Sequence, residues 1–332
     1  MATRFLTLTL NPAVDCTWRV RAPLRPGRVH EVLDEVRTPG GKGVNVAKAI
    51  AASGLPVRAG GFIGASEAAF YEEALRPLGI ETRFLPVPHP TRCNVMVTDG
   101  QGRELKLNRP GFPGMEHDWS ALSRYAQDVA AGVDVAVLSG SLPSRFPPDT
   151  YERLVRLFHG MGIPVLLDCD GPALRKALAV RPDVIKPNRH ELDGLLRRPP
   201  RTQRMRLAEV AGLAERIEVV IFSDGARGAW FASRGAMLRA RPPRVRVVDT
   251  TGAGDWLLGQ FCAGYFPRRR LDAPIAARAV AAGTAAVQAQ GTPFIPQKSI
   301  DRLRALVDVR VYQKTYTGPA RRDVSRVTVC SM

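Results

Sequence analysis

The sequence predicts an α/β fold built on a parallel sheet that is covered by helices on both faces. Three observations carry this. From about residue 118 helical and strand-like patterns alternate regularly, which is the rhythm of βαβ units. Two Gly-rich stretches each open a helical pattern: Gly40-Gly41-Lys42-Gly43, and Gly252-Ala253-Gly254 within Asp249 to Asp255. Five polar clusters follow predicted strands, at the carboxyl edge where such sheets bind ligands.

In chain order, Phe5 to Leu10 reads as a strand ending in Asn11-Pro12. Val14 to Val20 and Arg28 to Val36 read as short strands in a Pro-punctuated stretch. Gly40-Gly41-Lys42-Gly43 then starts a helix reaching about Ser53, with Val44, Ala47 and Ala51 at helical spacing. A strand (57–62), helix (66–78) and strand (80–86) follow. Thr91 to Thr98 and Glu104 to Asn108 flank Asp99-Gly100-Gln101-Gly102, a hairpin signal. Next come helix 118–131, strand 133–138, helix 149–161, strand 163–167, helix 172–179, strand 183–186 and helix 188–197. Pro199 to Arg206 reads as an Arg-rich connector, then helix 207–215, strand 217–222 and short strands over 228–247. A β-rich lead-in at Val245 to Val248, and helices over 254–266 and 272–289, complete the pattern. The tail from Val309 is basic and weakly periodic, and is set apart as residues 309–332.

Composition excludes several classes. No apolar run approaches the ~18 residues of a membrane span, and Met1 to Leu10 lacks a signal-peptide layout. Cys16, Cys93, Cys169, Cys262 and Cys330 are scattered and unpaired in spacing, as expected of buried thiols in the cytoplasm. The net charge of +17 raises nucleic-acid binding. Of 48 basic residues only seven are Lys, so 41 are Arg, spread along the whole chain without any nucleic-acid motif. An anionic small-molecule substrate is the better match to that field.

The stretch Asp249 to Asp255 states the chemistry. Backbone N–H groups at a helix start have no intrahelical partner and attract anions. Gly252, Ala253 and Gly254 would let a phosphate sit against them. Asp255 is unwelcome beside an anion unless it accepts a proton from a hydroxyl nucleophile; taken alone, it reads equally well as a helix-start residue. The second Gly-rich start adds Lys42, but its spacing is not that of a Walker A loop. The other clusters are Asn11 to Asp15, Ser139-Gly140-Ser141, Asp168, Lys186 to Glu191 and Ser223 to Gly228. Together they point to a polyanionic ligand and to phosphoryl transfer. A nicotinamide dehydrogenase is disfavoured, because the Gly-rich turn comes late and lacks a downstream acidic partner.

Leu10-Asn11-Pro12-Ala13-Val14-Asp15, Gly40 to Asn45, Thr91-Arg92-Cys93-Asn94, Ser139 to Pro143, Lys186-Pro187-Asn188 with Glu191, and Asp249 to Asp255 stand in one order and spacing. As a set, over residues 4 to about 295, they resemble the ribokinase-like (PfkB) sugar kinases, in the branch of 1-phosphofructokinase and tagatose-6-phosphate kinase. The resemblance implies a doubly wound kinase domain over 1–308 with a small β lid from about 12–37 and 86–112. It also implies a homodimer through the lid, and pairing would cover strand edges.

It further implies roles. Asp255 would be the base, and the amides of Gly252, Ala253 and Gly254 would hold the migrating phosphoryl group. Asp15, Gly41, Asn45, Asn94 and Ser139 would bind the sugar, with Lys42, Arg92 and Arg28 on the phosphate it already carries. Lys186, Ser223, Gly225 and Gly228 would bind ATP. Asn188 and Glu191 would order Mg²⁺ through water. The implied reaction is ATP-dependent phosphorylation of a ketohexose phosphate, fructose 1-phosphate first. Fructose 6-phosphate and tagatose 6-phosphate are alternatives, and a non-catalytic sugar-phosphate sensor is the alternative of another class. Departures from the family pattern are Trp256 and Gln260 just after the base, Asp170, and Asn108 to Phe112. The first two predict altered packing under the nucleotide.

Overall fold

A computed structural model describes residues 2–21, 23–112, 118–196, 198–313 and 328–329. The chain starts with β1 (Phe5–Thr9), leaves for β2 (Ala13–Val20) and β3 (Val32–Gly40), and returns through α1 (Lys42–Ala51) to β4 (Val57–Gly64). It passes α2 (Ala68–Leu75) to β5 (Ile80–Val87), then leaves again for β6 (Arg92–Asp99) and β7 (Glu104–Asn108). The alternating part follows: α3 (Trp119–Val129), β8 (Val135–Ser139), α4 (Thr150–Gly160), β9 (Val165–Asp168), α5 (Gly171–Ala177) and β10 (Val184–Ile185). It continues with α6 (Arg189–Leu195), α7 (Gln203–Ala214), β11 (Val219–Ser223), β12 (Ala229–Ser233) and β13 (Ala236–Arg241). Last come α8 (Ala253–Tyr265), α9 (Ala273–Ala286), α10 (Gln297–Arg304), β14 (Asp308–Gln313) and β15 (Thr328–Val329).

The main sheet has eleven strands in the order β15-β14-β13-β12-β11-β10-β9-β8-β1-β4-β5. From β5 to β11 neighbours are parallel, and β12 to β15 form an antiparallel edge. The chain runs outward one way from β1 to β5 and the other way from β8 to β11, so the order reverses between β1 and β8. A crevice opens beyond the strand ends at such a reversal. Alternate side chains feed two cores. Phe5, Val135, Val137, Val219 and Ile221 pack under α1, α2, α8 and α9; Leu6, Leu8, Ala136, Leu138, Val220 and Phe222 pack under α3 to α7. This is the doubly wound arrangement. Among the described residues no helix is long and apolar enough to cross a membrane.

A separate four-stranded sheet, in the order β3-β2-β6-β7, is the lid. β3 runs to Gly40, past the 12–37 segment expected, and β2 pairs with β6 in parallel so that Asp15 lies opposite Asn94. The lid leaves Val32, Leu33, Val36, Leu105 and Leu107 between 43% and 52% exposed.

Four expectations need correction. Val245 to Val248 is not a strand. The neighbouring edge of β13 is already taken by β14, so this Arg-Val stretch has nothing to pair with. Val248 and Asp249 instead donate their N–H groups to the Val287 carbonyl. The boundary drawn at 308 falls inside β14, which extends the main sheet, while Cys330 and most of the 309–332 tail lie outside the described residues. The Arg-rich connector turns helical at Gln203, because the Thr202 hydroxyl caps α7 by accepting from Met205 N–H at 3.2 Å. The helix expected over 66–78 is α2 between short 3₁₀ turns at 65–67 and 76–78, the second containing Pro77.

Candidate active site

A cleft of about 1370 Å³ opens at the strand-order reversal, with the lid along one wall. Its floor is the start of α8. Gly252 takes a left-handed φ of 75° as the N-cap, a conformation that glycine alone adopts without strain. Asp255 N–H folds back on the Gly252 carbonyl at 3.0 Å, and Ala253 N–H reaches the Thr250 carbonyl only at 3.4 Å. Among the described residues the amides of Gly252 and Gly254 make no backbone hydrogen bond. They are the donors left for an anion, at the positive end of a 13-residue helix.

Asp255 is 7% exposed and accepts from Asn45 Nδ2 at 2.9 Å. Burial pushes its carboxyl up to about 6, the charge on Asp168 adds to this, and Lys42, Asn45 and Lys186 pull it back. A carboxylate in this range is ionised at neutral pH and still basic enough to take a proton.

Beside it lies an ionic cluster around the buried Asp168, with Lys42 partly exposed. Lys186 Nζ is 3.3 Å and Lys42 Nζ 3.5 Å from Asp168 Oδ1, and Lys42 Nζ is also 3.5 Å from Glu191 Oε1. Burial alone would raise Asp168, but the two ammonium groups outweigh it and hold the carboxyl below its usual range. Asp168 in turn raises Lys42 far above an ordinary lysine, against the effect of burial. A methyl group on Gly254 would stand 3.3 Å from Lys186 Nζ, so the absence of a side chain there lets that ammonium close on the anion loop. Lys42 was expected to share the substrate's phosphate with Arg92. The structure instead gives Lys42 and Lys186 a common partner. The cause is geometry at the crevice: α1 starts opposite the end of β9, so Lys42 points at Asp168.

At the lid end, Asp15 accepts from Asn94 Nδ2 at 3.0 Å and from Thr292 Oγ1 at 3.2 Å. Burial raises its carboxyl, and Asn94 opposes this most. A Cβ on Gly40 would collide with the Asp15 carboxylate, and Gly41 has a φ of 108°, so both glycines are needed for α1 to start here. Arg92 spends three of its N–H donors on the carbonyls of Asn11, Pro12 and Arg109 at 3.0–3.2 Å. Its guanidinium is thereby fixed at the cleft wall with two donors to spare. Two residues expected to touch the substrate, Arg28 on its phosphate and Ser139 on its sugar, do not line the cleft. Arg28 sits exposed in the β2–β3 connection, away from the cleft lining. Ser139 is fully buried at the end of β8 and donates to Asp168 Oδ2 at 3.4 Å, so it props the carboxylate and touches no ligand space.

At the opposite end, Asn188 caps α6. Its Oδ1 accepts from Glu191 N–H at 2.9 Å, and Glu191 Oε2 accepts from Asn188 N–H at 2.9 Å, a reciprocal capping box. With Glu191 Oε1 turned to Lys42, both side chains are occupied and could reach a cation only through water. Among the described residues no group of three or more His, Cys, Asp or Glu could hold a metal by itself. Ser223, Gly225 and Gly228 line the cleft at the end of β11. Gly225 and Gly228 have φ of 57° and 90°, and a Cβ on Gly228 would strike the Ala240 carbonyl. Asp224 beneath them accepts two hydrogen bonds at 2.8 Å from Arg227.

Trp256 and Gln260 do not line the cleft. Trp256 is 1% exposed against Phe294 and the alanines of α9. Gln260 donates to the Ala49 carbonyl and Ser53 Oγ and accepts from Arg278 Nε at 2.6 Å. These contacts tie α8 to α1 and α9 on the face turned from the cleft. Sequence reasoning missed Thr292 and assigned no role to Asp168. Asp168 had a signal, since it ends a strand at the ligand edge. Thr292 had none, because it meets Asp15 across 277 positions.

Comparison with known proteins shows the family. The model of the pfkB family carbohydrate kinases matches residues 9–298. The chain is 34% identical to 1-phosphofructokinase of Vibrio cholerae over 269 residues, covering 81% of this chain and 84% of that one. It is 36% identical to 1-phosphofructokinase of Xanthomonas campestris over 270 residues, with 79% and 84% covered. Phosphofructokinase-2 from Escherichia coli, solved with substrates and products, superposes with a TM-score of 0.84 at 26% identity, over 92% of this chain and 99% of that one. The chain belongs to the pfkB family of carbohydrate kinases and is a phosphotransferase that acts on a hydroxyl group.

Proposed function

We propose that this kinase transfers the γ-phosphoryl group of ATP to the free primary hydroxyl of a ketohexose phosphate, with fructose 1-phosphate, converted to fructose 1,6-bisphosphate, the first choice. The observation that carries this is the buried Asp255 carboxylate, raised to about 6, in the same first turn as the unpaired amides of Gly252 and Gly254. Asp255 takes the proton as the sugar oxygen attacks, and Asn45 keeps its carboxylate oriented. The two amides with Lys42 and Lys186 receive the charge of the moving phosphoryl group in a site shielded from water. Asp15, Asn94 and Gly41 hold sugar hydroxyls, and the two free donors of Arg92 hold the phosphate already present. Ser223, Gly225 and Gly228 seat the nucleotide. Mg²⁺ neutralises the donor phosphates when bound; Asn188 and Glu191 would hold it through its water shell.

The exposed apolar residues of β3 and β7 support a homodimer paired through the lids, which would cover them. The free thiols of Cys16, Cys93, Cys169 and Cys262 agree with a cytoplasmic setting. The test is ADP release with ATP and Mg²⁺ against fructose 1-phosphate, fructose 6-phosphate, tagatose 6-phosphate and free fructose. Fructose 1-phosphate should give a kcat/KM about tenfold or more above the others. Faster turnover of another ester would reassign the substrate, and turnover of fructose alone would remove Arg92's role.

A further inference from the structure

The anion loop is anchored from below by Asp249. This carboxylate is 2% exposed and accepts from Thr251 N–H at 2.9 Å, from Thr251 Oγ1 at 2.8 Å and from Gly291 N–H at 3.0 Å. Its fourth partner comes from the other sheet. Lys106 on β7 of the lid donates to Asp249 Oδ1 at 2.9 Å and to Thr251 Oγ1 at 3.1 Å. Within 4 Å it is the one ion pair among the described residues that joins the lid to the main domain. Other lid contacts with the 290–292 loop are between neutral groups or accepted by Asp15: Gln290 Nε2 to Thr98 Oγ1 at 3.2 Å, Thr292 Oγ1 to Asp15 Oδ2 at 3.2 Å, and Thr292 Oγ1 with Thr38 Oγ1 at 3.5 Å. Glu104 lies 3.5 Å from Lys106 on the same strand, so the ammonium sits between an exposed lid carboxylate and a buried loop carboxylate.

Thr251 immediately precedes Gly252, whose amide faces the cleft. A lysine that holds Thr251 and Asp249 together therefore sets the path of the loop that carries the transfer site. We propose that Lys106 is a positioning residue for phosphoryl transfer, a latch through which lid closure over the sugar fixes the geometry of the anion loop. When the lid swings away, the ammonium leaves and the loop keeps only its neutral donors. Buried carboxylates lose order when a charged partner is removed. The latch makes full catalytic geometry conditional on a covered sugar site, which disfavours transfer to water. The proposal rests on the reading of Gly252, Gly254 and Asp255 as the transfer site.

The test compares Lys106→Met, which keeps the stem, with Lys106→Arg and with Asp249→Asn. Lys106→Met should lower kcat about tenfold or more, with the KM of the sugar phosphate within about threefold of wild type. Lys106→Arg should recover most of the loss. Adding Lys106→Met to Asp249→Asn should cost little further, because both break one contact. Deuterium exchange at 249–255 should be faster in Lys106→Met than in the wild type, a readout that needs no turnover. Unchanged kcat, a loss confined to KM, or failure of Arg to restore activity would overturn the latch. So would equal exchange in the two proteins. If the wild type turned over none of the sugar phosphates, the reading of the site would fail, and the exchange comparison would still decide the latch.

Discussion

The two sheets differ in how they are covered, and the parts of the site differ with them. In the main sheet every side chain of β1, β8 and β9 is buried between two layers of helices. The lid has one covered face, and the first six residues of β3 and all of β7 are exposed. The charges proposed to take part in the chemistry, Asp255, Asp168 and Lys186, stand on or beside the buried sheet, where each is less than 10% exposed. The groups proposed to recognise the sugar are shared with the lid, where Asp15 and Arg92 are half-buried. Fixed dipoles and charges are strongest where water is excluded. Recognition needs a wall that moves, and such walls come from elements with few buried contacts. On the proposed reading, reactivity is built into the doubly covered half and access into the half-covered one.

The sharpest break of this comparison is Asp255→Asn. Removing the base should lower kcat about a thousandfold, in the range of a lost general base, as measured by ADP release. The same variant should be more stable at pH 8. The folded carboxyl sits near 6 against 3.8 unperturbed, so folding favours its protonated form. The cost of burying the charge is full above the folded value and vanishes below the unperturbed one. Thermal unfolding should show a gain on the order of 3 kcal/mol at pH 8 that shrinks as pH falls through 6 toward 4. Loss of activity together with loss of stability would mean that Asp255 is structural.

The lid should respond in the opposite way. Val36→Asp or Leu107→Asp places a charge on its exposed face without touching the cleft. We expect dissociation of the proposed lid-paired dimer in sedimentation, and a rise of about tenfold in the KM for the sugar phosphate with kcat changed less. A variant that stays dimeric would place the interface elsewhere.

The elements that were legible in the sequence are those whose signals are local. Alternating helix and strand patterns gave the parallel sheet, Asp99 to Gly102 the β6–β7 hairpin, and Asp249 to Asp255 the glycine-capped start of α8. Errors arose where a distant partner decides. Val245 to Val248 has strand residues and no strand to pair with, whereas the basic stretch after Val307 has a free edge waiting and becomes β14. Trp256 and Gln260 were placed by counting along a helix, and only the packing of α1 and α9 shows which way they face. Thr292, Lys106 and the shared partner of Lys42 and Lys186 depend on contacts more than a hundred positions apart, or on which strand end faces which helix start.

The most direct test of the central claim is the pH profile of kcat/KM for the wild type and for Asp255→Asn, with ATP and the best sugar phosphate. Asp255 acts when ionised, so the wild-type rate should fall with acid below a pKa of about 6 and level off above it. The residual rate of Asp255→Asn should show no such limb. An acid limb that survives at the same pH in the variant would assign the proton transfer to another group and contradict the account.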